Sequence, residues 1–207
     1  MPYKMPTALE YVRRIGQSIM DEKADTKNPK KFTIDLENRQ FYEEMVRYFH
    51  GDELFNGDLN KGLAVLGTPG TGKTLAFKIF QKYLRIDDVI FNVGASKIKL
   101  EYRIVRTDQL VQDYETNGSA YLSQYKAAPC LCLDDVGEET IPGKYYGNEL
   151  NVVQNVMEGR YSRHTITFFT SNYTEKEFKN FYDERLTSRM NEMFNILKLT
   201  GHDRRKN

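Results

Sequence analysis

The chain has 207 residues, 40% of them apolar and 29% charged, with a formal net charge of +1. That length suits one substantial α/β domain with an appendage, and the apolar share can fill its core. No apolar run approaches the roughly 20 residues of a membrane-spanning helix, no apolar block of a signal peptide follows the basic residues near the start, and the near-zero charge excludes a whole-protein field steering nucleic acid. By segment, residues 1–61 carry 10 basic and 11 acidic side chains, residues 62–128 carry 9 and 6, and residues 129–207 carry 11 and 12. Any nucleic-acid contact must therefore come from a local patch.

Taken in order, Leu9, Val12, Ile15 and Ile19 recur at helical spacing and predict a helix over about residues 7–20. A lysine-rich polar stretch, residues 21–31, reads as a linker or exposed loop. A second helix is expected from Leu36 to Phe49, with Tyr42, Met45, Val46 and Phe49 on one side and Gly51 as its stop. These first 60 residues hold no catalytic constellation, which leaves packing against the rest of the chain or docking of a partner.

The run Leu63-Ala64-Val65-Leu66 is of buried-strand type and leads into Gly67-Thr68-Pro69-Gly70-Thr71-Gly72-Lys73-Thr74. After it, Leu75, Ala76, Ile79, Phe80, Tyr83 and Leu84 recur at helical spacing. Glycine, four residues, glycine, lysine and a hydroxyl residue, set between strand and helix, form a phosphate-binding loop. The glycines let backbone N–H groups turn inward on phosphate oxygens, and the helix N-terminus favours negative charge. Lys73 adds a mobile cation and the Thr74 hydroxyl can ligate Mg²⁺.

Alternation in Tyr102-Arg103-Ile104-Val105-Arg106 predicts a strand, and Thr107-Asp108 offers an N-cap for a helix starting near Gln109. Asn117-Gly118 breaks that helix, and a short one over residues 120–126 follows. Lys97, Lys99, Arg103, Arg106 and Lys126 lie around Tyr114, Tyr121 and Tyr125. Such interleaving suits single-stranded nucleic acid, where phosphates meet charge and bases stack on rings; solvated lysines and half-buried tyrosines are the plainer alternative.

Cys130-Leu131-Cys132-Leu133 leads into Asp134-Asp135, about 60 residues after Lys73. A second strand ending in acid is the partner that a phosphate loop requires. Asp134 would hold Mg²⁺, and Asp135 would orient or deprotonate an attacking water. The two cysteines alternate on one strand and share a face, which suits packing and not a disulfide or zinc site, and points to a reducing, cytoplasmic setting.

A helix is then expected over Asn148–Arg160, with Leu150, Val153, Val156 and Met157 as its apolar face. Thr165–Thr170 is β-rich and ends in Ser171-Asn172, whose amide could reach the attacking water or simply turn the chain. Helical pieces over about residues 175–182 and 184–194 follow, the second containing Arg185-Leu186-Thr187-Ser188-Arg189, before a final strand over residues 195–199 and Gly201-His202-Asp203-Arg204-Arg205. His50, His164 and His202 have no metal-ligand spacing, and no Ser-His-Asp or Cys-His signature is present.

The order GTPGTGKT, LCLDDVG, TSN at a strand end, RLTSR and GHDRR resembles the AAA+ ATPases, and within them the DnaC/DnaI helicase loaders and the IstB transposition ATPases. The likeness runs from about Phe32 to Arg205. It implies an α/β P-loop NTPase fold of the AAA+ ASCE type, three α/β/α layers around a five-stranded, mostly parallel sheet. A short helical extension over residues 1–31 would precede an ATP-binding domain over residues 32–207, with no C-terminal lid.

The resemblance also implies site roles. Nucleotide contacts fall on Gly67, Thr68, Pro69, Gly70, Thr71, Gly72, Lys73, Thr74 and Leu75, and Mg²⁺ ligation on Thr74 and Asp134. Asp135 is then the catalytic base, Asn172 the first sensor, and Arg189 an arginine finger acting on a neighbouring subunit, which implies ATP-linked self-assembly. Arg205 takes a second-sensor position, with Arg204 beside it as the alternative and Asp203 where serine is usual. The Asp-Asp pair replaces the Asp-Glu of many AAA+ enzymes and implies slow hydrolysis. Tyr121, Tyr125 and Lys126 fall where initiators and loaders contact single-stranded DNA. The function implied is a Mg-dependent ATPase that loads a replicative helicase onto single-stranded DNA, with no membrane partner. A transposition helper recruiting a transposase is the alternative, and a small-molecule P-loop kinase a more distant one.

Overall fold

A computed structural model describes residues 3–22, 30–86, 90–93 and 96–205. In chain order the elements are helices α1 (Met5–Asp21) and α2 (Arg39–His50), strand β1 (Gly62–Leu66), helix α3 (Lys73–Ile86), strands β2 (Ile90–Val93), β3 (Ser96–Lys99) and β4 (Arg103–Arg106), and helix α4 (Thr107–Asn117). A 3₁₀ turn (Ser119–Leu122), helix α5 (Ser123–Ala127), strands β5 (Cys130–Asp134), β6 (Gly143–Tyr145) and β7 (Asn148–Leu150), and helix α6 (Val152–Tyr161) follow. Strand β8 (Ile166–Ser171), a second 3₁₀ turn (Glu177–Asn180), helix α7 (Glu184–Met193) and strand β9 (Phe194–Lys198) complete the set. The chain divides into two compact units, one of residues 1–60, 68–101 and 198–207, the other of residues 61–67 and 102–197.

The second unit is built on the sheet, whose strand order is β4-β5-β8-β1-β9. β4 with β5, β5 with β8 and β8 with β1 all pair parallel, in register Arg106↔Asp134, Leu133↔Phe169 and Leu66↔Ser171. Parallel strands covered on both faces read as unbroken apolar runs, and every residue of β1 and β5 is buried. Leu131, Leu133 and Phe169 from the strands join Leu110, Val153 and Val156 from α4 and α6 in one core. Because the strands run the same way, β5, β8 and β1 deliver their C-terminal ends to one edge of the sheet. This is the expected α/β P-loop architecture.

Arg160 sits in this core with no exposed surface. Its guanidinium donates to the carbonyls of Tyr125 (2.6 Å), Ala128 (2.8 Å) and Ile166 (2.6 Å) and to Thr167 Oγ1 (2.8 Å). Burial lowers its pKa to about 10, which leaves it charged at neutral pH. A buried cation is tolerated here because oxygen dipoles meet each arm of the fork, and the bonds tie the end of α5 to the start of β8.

In the first unit, α1 and α3 pack together and α1 also touches α2. Ala8, Leu9, Val12, Ile15 and Ile19 form the buried stripe of α1 that the spacing predicts. Phe49 stacks on Phe80 with centroids 4.9 Å apart, and His50 Nε2 lies 2.8 Å from the Tyr83 hydroxyl. β2 and β3 pair antiparallel, a pairing absent from the sequence reading.

Four boundaries differ from expectation, each for a local reason. α2 begins at Arg39 and not Leu36, because Asp35 and Asn38 exchange backbone and side-chain hydrogen bonds in a turn first. Thr107 is the first residue of α4 and caps nothing; its hydroxyl donates to the Asp135 carbonyl at 2.9 Å. The helix expected from Asn148 begins at Val152, since Asn148–Leu150 pairs antiparallel with Gly143–Tyr145, and Asn151 caps the helix by accepting from Gln154 N at 3.2 Å. The helix expected over residues 175–182 shrinks to the turn Glu177–Asn180, after Glu177 bonds back to both the N–H and the hydroxyl of Thr174.

Candidate functional site

At the sheet edge, Asp134 closes β5 with 3% of its surface exposed. Thr170, on the neighbouring strand β8, donates its hydroxyl to Asp134 Oδ1 at 2.7 Å and accepts from the Asp135 N–H at 2.9 Å. Thr107, the residue that follows the other neighbouring strand, β4, donates to the Asp135 carbonyl. Asp135 itself has φ +61°, a conformation that aspartate tolerates better than most residues. The Thr170 and Thr107 hydroxyls and this left-handed turn thus fix the backbone that carries both carboxylates. Strained backbone held by its surroundings is frequent at functional sites.

Asn172 follows β8, and its Nδ2 donates to Glu138 Oε1 at 2.9 Å. Ser171, just before it, is buried; its hydroxyl donates to the Val136 carbonyl (2.6 Å) and its own carbonyl accepts from the Gly67 N–H (3.2 Å). The residue that opens the phosphate loop is thereby bonded to the strand end that carries Asn172. The segment after β5 also carries the buried Glu139, which accepts from the Gly137 N–H (2.7 Å) and the Tyr182 hydroxyl. Burial, followed by the Glu139 charge, pushes the Tyr182 hydroxyl well above its ordinary pKa.

The remainder of the phosphate loop, Thr68 onward, belongs to the first unit. Gly70 (φ +85°) and Gly72 (φ +100°) adopt left-handed conformations that side chains resist, and between them the loop curls. Lys73 Nζ and Thr71 Oγ1 both donate to the Thr68 carbonyl, at 3.0 and 2.9 Å. Lys73 and Thr74 form the first turn of α3, and Leu75 and Ala76 continue it.

The segment Gly201–Arg205 runs against this loop. The Arg204 N–H donates to the Gly70 carbonyl at 3.0 Å. The Arg204 guanidinium grips Asp35 with both arms, at 2.8 and 3.0 Å. Arg205 is exposed and turns its Nε onto Asp203 Oδ1 at 3.1 Å. Between the two candidate second-sensor arginines, Arg204 is committed to Asp35 and Arg205 is the more solvent-facing, with 68% of its side chain exposed against 21%.

Arg189 lies on α7 with its guanidinium 4.5 Å from the centre of the Tyr161 ring, and Tyr161 donates to Glu192 at 2.7 Å. The expected DNA contacts separate. Tyr121 is 41% exposed. Tyr125 is buried, its hydroxyl on Asp113 and the Arg103 guanidinium 5.3 Å from its ring centre. As a correction, Tyr125 therefore offers no face to a stacking base; it holds the α5 turn. Lys126 is half-buried, with its stem across Gly159 of α6, and burial lowers its pKa. The side chains of Lys97 and Lys99 lie outside the described residues. Sequence reasoning missed Thr107, Thr170 and Glu138: hydroxyls and a carboxylate show no pattern until neighbouring strands are known.

Several solved structures share this architecture. DnaI superposes with a TM-score of 0.59 and 21% identity, over 83% of this chain and 87% of its own. The DnaC helicase loader gives 0.54 and 21%, over 81% and 93%. The replication initiator DnaA, bound to AMPPCP and single-stranded DNA, gives 0.57 and 18%, over 83% of this chain and 49% of DnaA. The chain has the α/β P-loop fold of these proteins. In this fold β1, which leads into the phosphate loop, is separated from the acidic strand β5 by β8 alone. No protein-family model and no curated protein matches the chain. Among the described residues no group of His, Cys, Asp and Glu could hold a metal by itself, and no helix is long and apolar enough to cross a membrane.

Proposed function

We propose that the chain binds and hydrolyses ATP with Mg²⁺ and serves as a DnaC-like loader of a replicative helicase onto single-stranded DNA. The observation that carries the enzymatic part is the Thr170 hydroxyl bridging Asp134 and Asp135 at the edge where β1 opens into the phosphate loop. The residues fit the implied groups. Gly70 and Gly72 supply the left-handed backbone that phosphate oxygens need, and Lys73 brings an ammonium to the same loop. A divalent cation needs oxygen ligands, which Thr74 and the preorganised Asp134 carboxylate would provide.

When bound, ATP supplies the phosphoanhydride to be cleaved and Mg²⁺ the charge that neutralises its oxygens. Asp135 would accept a proton from the attacking water, and the fixed backbone around it would keep its carboxylate aimed. Asn172 would orient that water once its amide leaves Glu138. Arg205 would add a cation beside the loop. Arg189 would complete the site of a neighbouring copy, so turnover would depend on assembly. Tyr121 and Lys126 would contribute to a DNA path with Arg103. The loader reading draws on the DnaC and DnaI likeness, and the DNA reading on the DnaA structure whose bound single strand is part of its description.

Titration with ATP and Mg²⁺ tests the core of this. Lys73→Ala should abolish binding that the wild type shows; equal binding by both would remove the basis of the reading. A pull-down with and without a non-hydrolysable ATP analogue then tests the partner. An ATP-dependent replicative helicase is the expected result, and recovery of a transposase instead would move the chain to the transposition-helper class.

A further inference from the structure

The segment Gly201–Arg205 touches the phosphate loop at its tightest point. A Cβ on Gly70 would stand 1.9 Å from Asp203 Oδ1, so the Asp203 carboxylate occupies the space a side chain would take. One residue on, the Arg204 N–H closes a hydrogen bond to the Gly70 carbonyl. Backbone and carboxylate together leave Gly70 little freedom to move.

What keeps the segment there is an ion pair remote in sequence. Arg204 and Asp35 are 169 residues apart and meet through two hydrogen bonds. Asp35 is prepared for this: its Oδ1 also accepts from the N–H groups of Glu37 (3.0 Å) and Asn38 (3.3 Å) in the turn before α2. The Arg204 hydrogen bond, more than the turn, holds the Asp35 carboxyl below its usual range. A bidentate arginine on a carboxylate fixed by its own backbone is the geometry in which a partly exposed pair gains specificity. Four further hydrogen bonds secure the same segment or brace it internally. His202 Nδ1 lies 3.1 Å from Glu37 Oε2, Lys30 donates to the Arg205 carbonyl, and Asp203 Oδ1 accepts from both the N–H (3.0 Å) and the Nε (3.1 Å) of Arg205.

We propose that Gly201–Arg205 is a clamp on the phosphate loop, fastened by Arg204 to Asp35, and that this clamp sets the affinity for ATP. Arg204 and Asp35 are positioning residues; they touch the loop backbone or its anchor, and Arg205 is the side chain they present. With the pair intact, the Gly70 peptide is held in its left-handed turn before ligand arrives, and binding loses less entropy. With the pair broken, Asp203 and Arg205 leave the loop together. This rests on the ATP reading above.

The test compares wild type, Asp35→Asn, Arg204→Gln and the charge-reversed double variant Asp35→Arg with Arg204→Asp. Each is titrated with Mg-ATP, and amide exchange is followed over residues 68–74 without nucleotide. Each single variant should weaken ATP roughly tenfold and speed exchange of the loop, and the reversed pair should recover part of both, since it rebuilds the ion pair but not the acceptor for the Glu37 and Asn38 N–H groups. If a single variant unfolds, Arg204→Lys, which keeps the charge and loses the fork, is read by the same two measurements and should fall between wild type and Arg204→Gln. Wild-type affinity and exchange in the folded single variants would overturn the clamp while leaving the ATP reading intact. A wild type that binds no ATP would overturn both.

Discussion

The sheet edge around Asp134 and the segment around Arg204 each fasten one part of the candidate chemistry, by opposite means. Asp134 is held by a buried threonine hydroxyl within parallel strands. Gly70 is held by a terminal segment whose anchor, Arg204 with Asp35, leaves 21% and 38% of the two side chains exposed. Buried neutral-to-charged hydrogen bonds feel little salt and are costly to remove. Half-exposed ion pairs are weaker and respond to salt and pH. The acidic edge is thus a fixed component and the phosphate loop carries the adjustable one.

This contrast would lose its force most visibly if neither region governed turnover. Arg189 belongs to neither, being stacked on Tyr161 of its own chain. If it acts on a neighbouring copy, Arg189→Ala should bind ATP normally yet lose about 10³–10⁵ of assembly-stimulated hydrolysis. Mixing it with Lys73→Ala should recover part of the turnover, and wild-type hydrolysis by Arg189→Ala would shift the role to Arg185.

The next effect lies within the fixed edge. Asp135→Asn should keep ATP bound while hydrolysis falls about 10²–10⁴-fold, since an amide accepts no proton. Asp134→Asn should instead weaken the dependence on Mg²⁺. Identical behaviour of the two variants would show that the division between them is wrong.

Thr170→Val sharpens the contrast most directly, because it preserves shape and removes only the hydroxyl that bridges Asp134 Oδ1 and the Asp135 N–H. Denaturant unfolding should show a loss of about 1–3 kcal/mol, nearly independent of salt. No loss of stability, or one that salt abolishes, would place this edge in the same class as the Arg204 pair.

The smallest effect is the pH and salt response of that pair. The folded-state pKa of Asp35 is depressed, chiefly by Arg204. Its contribution is therefore fully present above the ordinary carboxylate range near pH 4 and is lost as pH falls through the lower folded value. Stability of wild type relative to Asp35→Asn should converge at acid pH and shrink in high salt. A difference that persists unchanged below pH 4 would mean that Asp35 acts without its charge.

The sequence alone determined the strand–loop–helix unit at Gly67–Thr74, the acidic end of Cys130–Asp134 and the polar tip at Ser171-Asn172. Apolar runs and glycine spacing are local signals, and each unit forms from neighbours in the chain. From their order came the α/β P-loop architecture, which the parallel sheet bears out. The hairpin of Gly143–Tyr145 with Asn148–Leu150 was hidden, because Leu150 and the valines after it fit a helical stripe equally well until the two strands pair. Tyr125 looked available for bases, and only packing turned its ring inward onto Asp113 and Arg103. Tertiary structure alone decided that Thr107 serves Asp135, that Thr170 bridges two aspartates, and that Arg204 reaches Asp35. Hydrogen bonds between residues so distant in the chain have no period, and they exist only once the strands and the terminal segment have brought the partners within 3 Å or so.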